Sequence, residues 1–325
     1  MAAKHIPKTP TKTISVVSPV YNEAEGIVWF HESIVKALKA IKKYDFEIIY
    51  VNDGSKDETL SALMKLKASE RTTIQVLDLS RNFGKESALA AGIQSATGSA
   101  VLTLDSDGQH PVEHISEFIQ SWEDGNEVII GIRKTNKNEG FVKKYGSKWF
   151  YKIFNGTSGA ELLPGSTDFR LMDRIVVDEF LKLNERNRMT RSLIDWLGFR
   201  RAYIWFDANE RLFGTATYTF KKLFELAINT FVSLSALPLF IAGYVGLLFI
   251  VFSFLSGVFV LVEQFILRDP LALNISGSAM LGLLIVFLVG IILSSQGLLG
   301  VYVSRLMSES QGRPLFIIRG KHKLR

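Results

Sequence analysis

Cysteine is absent from the 325 residues. No disulfide framework or thiolate metal site can therefore exist, which suits a cytosol-facing protein. The first residues, MAAKHIPKTPTKT, hold no apolar run, so no signal peptide is expected. Charge is missing from two long stretches, 226–262 and 270–304, although charged residues make up 22% of the whole chain. The 47% hydrophobic content and mean hydropathy of +0.18 exclude disordered and collagen-like classes.

The two uncharged stretches are long enough to cross a hydrocarbon core of about 30 Å. Spans are expected near 236–262 and 276–303. The short link between them carries Arg268 and Asp269, whereas the last residues hold Arg305, Arg313, Arg319, Lys321, Lys323 and Arg325 against Glu309. That is a net +5 of the chain's formal +6, and Lys221 and Lys222 precede the first span. The positive-inside bias then puts both termini and the N-terminal domain on the cytoplasmic side of the plasma (inner) membrane. The basic balance reads as a membrane-surface signal, and no nucleic-acid motif accompanies it. Two segments suit a headgroup boundary. In 219–234, Phe220, Leu223, Phe224, Ala227, Ile228 and Phe231 recur at helical spacing. In 141–154, four lysines interleave with six aromatics. Packing against the soluble domain is the alternative for the first, and a plain solvated helix for the second. The expected organisation is a cytosolic domain over 1–218, a juxtamembrane amphipathic helix over 219–234, a two-helix hairpin over 235–304 and a basic tail over 305–325. So small an anchor is compatible with a homo-oligomer.

Residues 13–131 alternate short β-branched runs (14–18, 46–51, 74–79, 100–104, 127–130) with helical patterns (26–43, 57–68, 85–97, 112–122). This alternation predicts an α/β domain with a Rossmann-like, mostly parallel sheet, whose ligands bind beyond the carboxyl ends of the strands. Polar clusters fall at four such ends: 19–23, 52–55, 80–85 and 105–109. The chemistry they exclude is informative. No Gly-x-Gly-x-x-Gly follows the first strand, Gly84-Lys85-Glu86-Ser87 is not a P-loop, and no Gly-x-Ser-x-Gly marks a hydrolase elbow. The five histidines are scattered, which argues against zinc. What remains is Asp105-Ser-Asp107 directly after the strand VLTL, two carboxylates able to share one hard divalent ion with substrate phosphates.

PVYNE, VNDGSKDET, SRNFGKESAL and DSDGQHP, in that order, resemble the family 2 glycosyltransferases of GT-A fold. Gly131–Arg133, DFRLMDR from Asp168 and RLFGTATY from Arg211, followed by two expected spans, narrow the resemblance to the polyprenyl-phosphate glycosyltransferases. That group includes bactoprenol glucosyltransferases and, more distantly, dolichol-phosphate mannose synthase. The resemblance runs from about Ile14 to Arg319.

It implies that Pro19, Tyr21, Glu23, Lys85 and Ser106 lie at the nucleotide sugar and that Asp53 pairs with uracil. Asp105 and Asp107, with Gln109, would hold Mg²⁺ or Mn²⁺ against the diphosphate. Arg133, Ser147 and Lys143 or Lys144 would grip the lipid phosphate, joined by Arg211 from a closing loop, and Asp168 would stand near the sugar. That loop lacks the lysine usual in the family, which leaves its mode of closure open. Structural alternatives stay beside these roles: Asp53 as a helix cap, Glu23 as a first-turn charge, Asp168 as a partner of Arg170 or Arg174, and Arg211 as a loop cation.

The implied reaction is inverting transfer of a sugar, by resemblance glucose from UDP-glucose, onto undecaprenyl (polyprenyl) phosphate. A processive polysaccharide synthase would want Gln-x-x-Arg-Trp and more spans. A non-catalytic nucleotide-sugar-binding scaffold would want a broken Asp-x-Asp.

Overall fold

The computed structural model describes residues 12–134, 163–183, 185, 189–209 and 277–324, with isolated positions between 248 and 262. It divides into two compact units: Met1–Tyr218 with Arg313–Arg325, and Thr219–Gly312.

The first unit follows the expected alternation: β1 (Thr13–Val20), α1 (Ile27–Lys39), β2 (Asp45–Asn52), α2 (Thr59–Met64), β3 (Thr72–Leu79), α3 (Lys85–Ser95), β4 (Ala100–Thr103), α4 (Ile115–Glu123) and β5 (Val128–Arg133). Further elements follow: β6 (Ser166–Asp173), α5 (Arg174–Lys182), α6 (Thr190–Trp196), β7 (Arg201–Phe206) and β8 (Ile318–Leu324). The strands make one sheet in the order β7-β5-β6-β4-β1-β2-β3-β8.

The parallel pairs are β1 with β2, β1 with β4, β2 with β3, and β5 with β7. β6 runs antiparallel between β4 and β5, and β8 runs antiparallel along β3. The sheet expected to be mostly parallel is therefore mixed. The antiparallel members belong to segments whose mixed polar and apolar residues showed no clear period.

Both faces are covered, which is why the central strands read as near-continuous apolar runs. On one face Ile27, Phe30, Ile34 and Leu38 of α1 recur at helical spacing and bury with Phe118 of α4 against Ile14, Val16, Ile48 and Phe169. On the other, Ala88, Leu89 and Ile93 of α3 join Val177 and Phe180 of α5 and Leu193 of α6 against Val17, Ile49, Val101 and Met172. α3 lies so close to the sheet that a Cβ on Gly92 would stand 2.3 Å from Val17 Cγ1.

In the second unit one helix, α7 (Gly277–Ser310), runs 34 residues, with Leu281, Ile285 and Ile292 exposed. Its window Phe287–Ser304 has a mean hydropathy of 1.7, and among the described residues it is the one helix long and apolar enough to cross a membrane. The helix continues past the expected end near Val303. The first expected span, the juxtamembrane helix over 219–234 and the aromatic–lysine segment over 141–154 lie outside the described residues, apart from the isolated positions. Part of the expected basic tail is sheet: Ile318–Leu324 is an edge strand of the first unit, because β3 offers an unpaired backbone edge that this segment covers.

Candidate active site

The carboxyl ends of β1, β2, β3 and β4 and the amino end of the antiparallel β6 bring the polar clusters together. After β1, Asn22 takes φ 53, and its Oδ1 accepts the Lys56 N–H while its own N–H donates to Ser55 Oγ. Asparagine tolerates this left-handed backbone. Glu23 N–H donates to Thr59 Oγ1. The loops after β1 and β2 are thus stitched into one rim. Tyr21 is exposed on it, Glu23 is half-buried, and the Pro19 carbonyl accepts from the buried Ser106 Oγ at 3.0 Å.

Asp53 is buried at the end of β2, and its two oxygens accept the N–H groups of Phe83 at 2.7 Å and Gly84 at 3.0 Å. Burial pushes its carboxyl up, with the two N–H groups and Arg81 opposing. It therefore fastens the entry to α3 rather than capping the helix that directly follows it. An ionised carboxylate offers about four acceptor positions, so lone pairs remain for a ligand donor. Gly54, at φ +63, packs where a Cβ would lie 2.3 Å from the Arg81 carbonyl carbon, which brings the β2 and β3 loops into direct backbone contact.

Lys85 opens α3, and its Nζ stands 2.6 Å from Asp105 Oδ1 and 2.6 Å from Asp168 Oδ2. Burial works against the ammonium, but the two carboxylates outweigh it and raise the lysine above its usual range. Asp168, 6% exposed, faces Arg191 Nε at 3.1 Å on its other oxygen. Burial would raise its carboxyl, yet Lys85 and then Arg191 hold it well below the ordinary aspartate value. Its ion-pair partners are Lys85 and Arg191, while Arg170 acts on it only at longer range. Arg170 is sequestered in a buried pair with Asp195 at 2.9 Å and donates to the Arg191 carbonyl, which pins α6 and so aims Arg191. Arg174 donates to the Gly98 and Ala96 carbonyls.

After β4 the Asp107 carboxylate accepts the Gln109 N–H at 3.1 Å, and the Gln109 carbonyl accepts from Asn209. His110 accepts the Asp105 N–H on Nδ1 at 3.0 Å, leaving Nε2 3.9 Å from Asp105 Oδ2. Its ring stacks on Phe169, and burial lowers its affinity for a second proton.

A cavity of about 170 Å³ is lined by Lys85, Asp105, Gln109, Arg133, Asp168 and Arg191, among others. The expected metal, sugar and phosphate residues Asp105, Gln109, Asp168 and Arg133 thus share one wall system. Lys143, Lys144, Ser147 and Arg211 lie outside the described residues. Sequence reasoning missed Arg191, Glu86 and His110. His110 was visible inside DSDGQHP. Glu86, which accepts the Thr190 N–H at 2.9 Å, and Arg191 left no motif, since their roles arise only when α6 folds over the end of β6.

Comparison with known proteins follows the same outline. The sequence model of Glycosyl transferase family 2 matches residues 15–181. An uncharacterised glycosyltransferase of Synechocystis sp. is 36% identical over 308 residues, 95% of each chain. A prophage-derived bactoprenol glucosyl transferase of Shigella flexneri is 35% identical over 310 residues, 95% of this chain and 98% of its own. Among solved structures, mannosyl-3-phosphoglycerate synthase from Rubrobacter xylanophilus has a TM-score of 0.49 at 18% identity, covering 67% of this chain and 71% of its own.

Proposed function

This chain belongs to glycosyl transferase family 2 and is a glycosyltransferase of GT-A fold, and from that premise we propose that it transfers glucose from UDP-glucose onto undecaprenyl (polyprenyl) phosphate at the cytoplasmic membrane face. The observation that supports this most is the polar cavity in which Lys85, Arg133 and Arg191 meet Asp105 and Asp168. Such a cavity suits two anionic substrates. The bactoprenol glucosyl transferases among the relatives support the lipid acceptor and the glucose.

The donor set fits a divalent cation. Asp105 and Asp107 are hard oxygen ligands two residues apart at a strand end, and one or two carboxylates with substrate phosphates are a usual Mg²⁺ shell. Asp105 and Asp107, with Gln109, would hold Mg²⁺ or Mn²⁺, which when bound would neutralise the leaving diphosphate. The remaining work falls to the protein. Asp53 and the rim of Pro19, Tyr21, Glu23 and Ser106 would seat the nucleotide. Arg133, with Lys143, Lys144, Ser147 and Arg211, would hold the lipid phosphate. A phosphate monoester, with a second pKa near 6, is already anionic at neutral pH and needs no strong base. Asp168, held ionised by Lys85 and Arg191, therefore orients the sugar instead of taking a proton. In-line attack inverts the anomeric carbon, with positioning and electrostatics dominant.

The connectivity supports the anchor reading. The chain leaves the sheet after β7 and rejoins it as β8, which agrees with an even number of crossings between them. With α7 as one span, a second between 235 and 262 completes a hairpin and keeps both termini cytoplasmic. The 219–234 helix then lies at the interface.

The test is transfer of radiolabelled sugar from a panel of UDP- and GDP-sugars into undecaprenyl phosphate, with Mg²⁺, with EDTA and with Asp107→Ala. Metal-dependent label in lipid, lost in the variant, is the expected result. Nucleotide binding without any transfer would sink the acceptor assignment.

A further inference from the structure

We propose that the C-terminal strand β8 is a working part of the donor-nucleotide site, with Arg319 as the residue that positions it. This deepens the functional reading above and rests on the Asp53 rim being where the nucleotide sits.

The loop Ser80–Gly84 supplies both N–H groups that Asp53 accepts, and Lys85 follows it directly. Its tip is thus held from the β2 side, and its root is held from β8. Ser80 N–H donates to the Ile317 carbonyl at 2.9 Å, and Arg319 Nη2 donates to the Ser80 carbonyl at 2.6 Å. Arg319 Nη1 also stands 3.7 Å from Asp78 Oδ2. Asp78 is buried, and its other oxygen accepts from Asn52 Nδ2 at 2.7 Å. Asn52 directly precedes Asp53, and its Oδ1 accepts the Ser55 N–H at 3.3 Å. One guanidinium therefore holds the end of β3 directly and touches β2 only through the Asp78–Asn52 hydrogen bond.

Its reach has a local cause. The β3–β8 register pairs Asp78 with Gly320 and Leu79 with Ile318, so the ladder shifts at Arg319 itself. A bulge of this kind re-aims the side chain of the unpaired residue. In a regular ladder Arg319 would face one partner strand position; here it grips the Ser80 carbonyl and the Asp78 carboxylate together. Lysine could replace one of these contacts but not the fork. The exposed ion pair alone is worth little. The effect expected of Arg319 is on the placement of Phe83 and Gly84, hence on donor affinity, not on overall stability.

The experiment uses the full-length protein and its Arg319→Ala and Arg319→Lys variants. UDP affinity is measured by calorimetry, KM and kcat by transfer, and amide exchange at Phe83 and Gly84 by mass spectrometry, with Tm as the folding control. Arg319→Ala should weaken UDP by about tenfold and raise the donor KM to match, the scale of a lost charge-assisted bond. Exchange at Phe83 and Gly84 should quicken, kcat and the lipid-acceptor KM should hold, and lysine should restore part of the loss. Unchanged UDP affinity and exchange in a folded Arg319→Ala overturns the proposal, as does an equal fall in every parameter with a lowered Tm. Failure of the wild type to bind any nucleotide would overturn the functional reading instead, and the exchange rates would still decide whether Arg319 holds the loop.

Discussion

Lys85 and Asp168 lie 83 positions apart in the chain, yet the lysine Nζ sits 2.6 Å from the Asp168 carboxylate and bridges it to Asp105. A cation between two acids offsets their mutual repulsion and helps hold the Asp168 carboxyl below its ordinary range. With Arg191 on the far oxygen of Asp168, it makes a preorganised electrostatic frame at the cleft. Such preorganisation is the largest usual source of transition-state stabilisation.

That frame makes the domain acid-labile. Asp168 is held below its ordinary value, so its contribution to stability is present above about pH 3.9 and drains away as pH falls below it. Lys85 is raised, so its contribution is intact below its ordinary value of about 10.4 and is lost only in strong alkali. Urea midpoints of the wild type should fall as pH drops below about 4, and Lys85→Met should flatten that slope. An identical slope in the variant would contradict the frame.

Asp107→Ala should reduce kcat/KM for transfer by at least about 100-fold. Mn²⁺ binding in the presence of UDP, followed by electron paramagnetic resonance, should be lost in parallel. Full Mn²⁺ binding by the variant would remove Asp107 from the metal set.

Arg170 and Asp195 are 1% and 2% exposed, and the pair ties β6 to the helix that carries Arg191. Truncating one partner leaves a buried charge, so Asp195→Leu should cost about 3–5 kcal/mol in denaturant unfolding. Arg170→Met combined with Asp195→Leu should recover most of that cost while leaving Arg191 misaimed and transfer impaired. Stability that stays low in the double variant would show that packing, not unpaired charge, dominates there.

Gly92→Ala should destabilise the domain by about 1–3 kcal/mol, because the added methyl meets Val17 and Val51 in a closed helix–sheet interface. A compensating Val17→Ala should return part of the loss in thermal melts. No rescue would mean that α3 shifts as a body.

The strand ends were legible because parallel strands buried on both faces leave continuous apolar runs, and polar residues at their ends stand out. Asp105, Asp107, Asp53 and Lys85 were found that way. β6, β7 and β8 were not read as strands: their residues mix arginine, lysine and aromatics without a clean period, and β8 is an exposed edge. Arg319 looked like one charge in a basic tail, and nothing local distinguishes it from Lys321 or Lys323.

The amino-acid order by itself determined the α/β alternation, the Asp-x-Asp at a strand end and the two uncharged stretches, because each follows from patterns within about 20 residues. Tertiary structure alone decided that Lys85 bridges Asp105 and Asp168, that Arg170 is spent on Asp195 so that Arg191 can serve Asp168, and that the last residues close the sheet along β3 beside the loop that holds Asp53. Those pairings join residues up to 239 positions apart. Charge partners at such separations are chosen by which strand edges meet and which side chains are buried together, and neither is written in any local stretch of the chain.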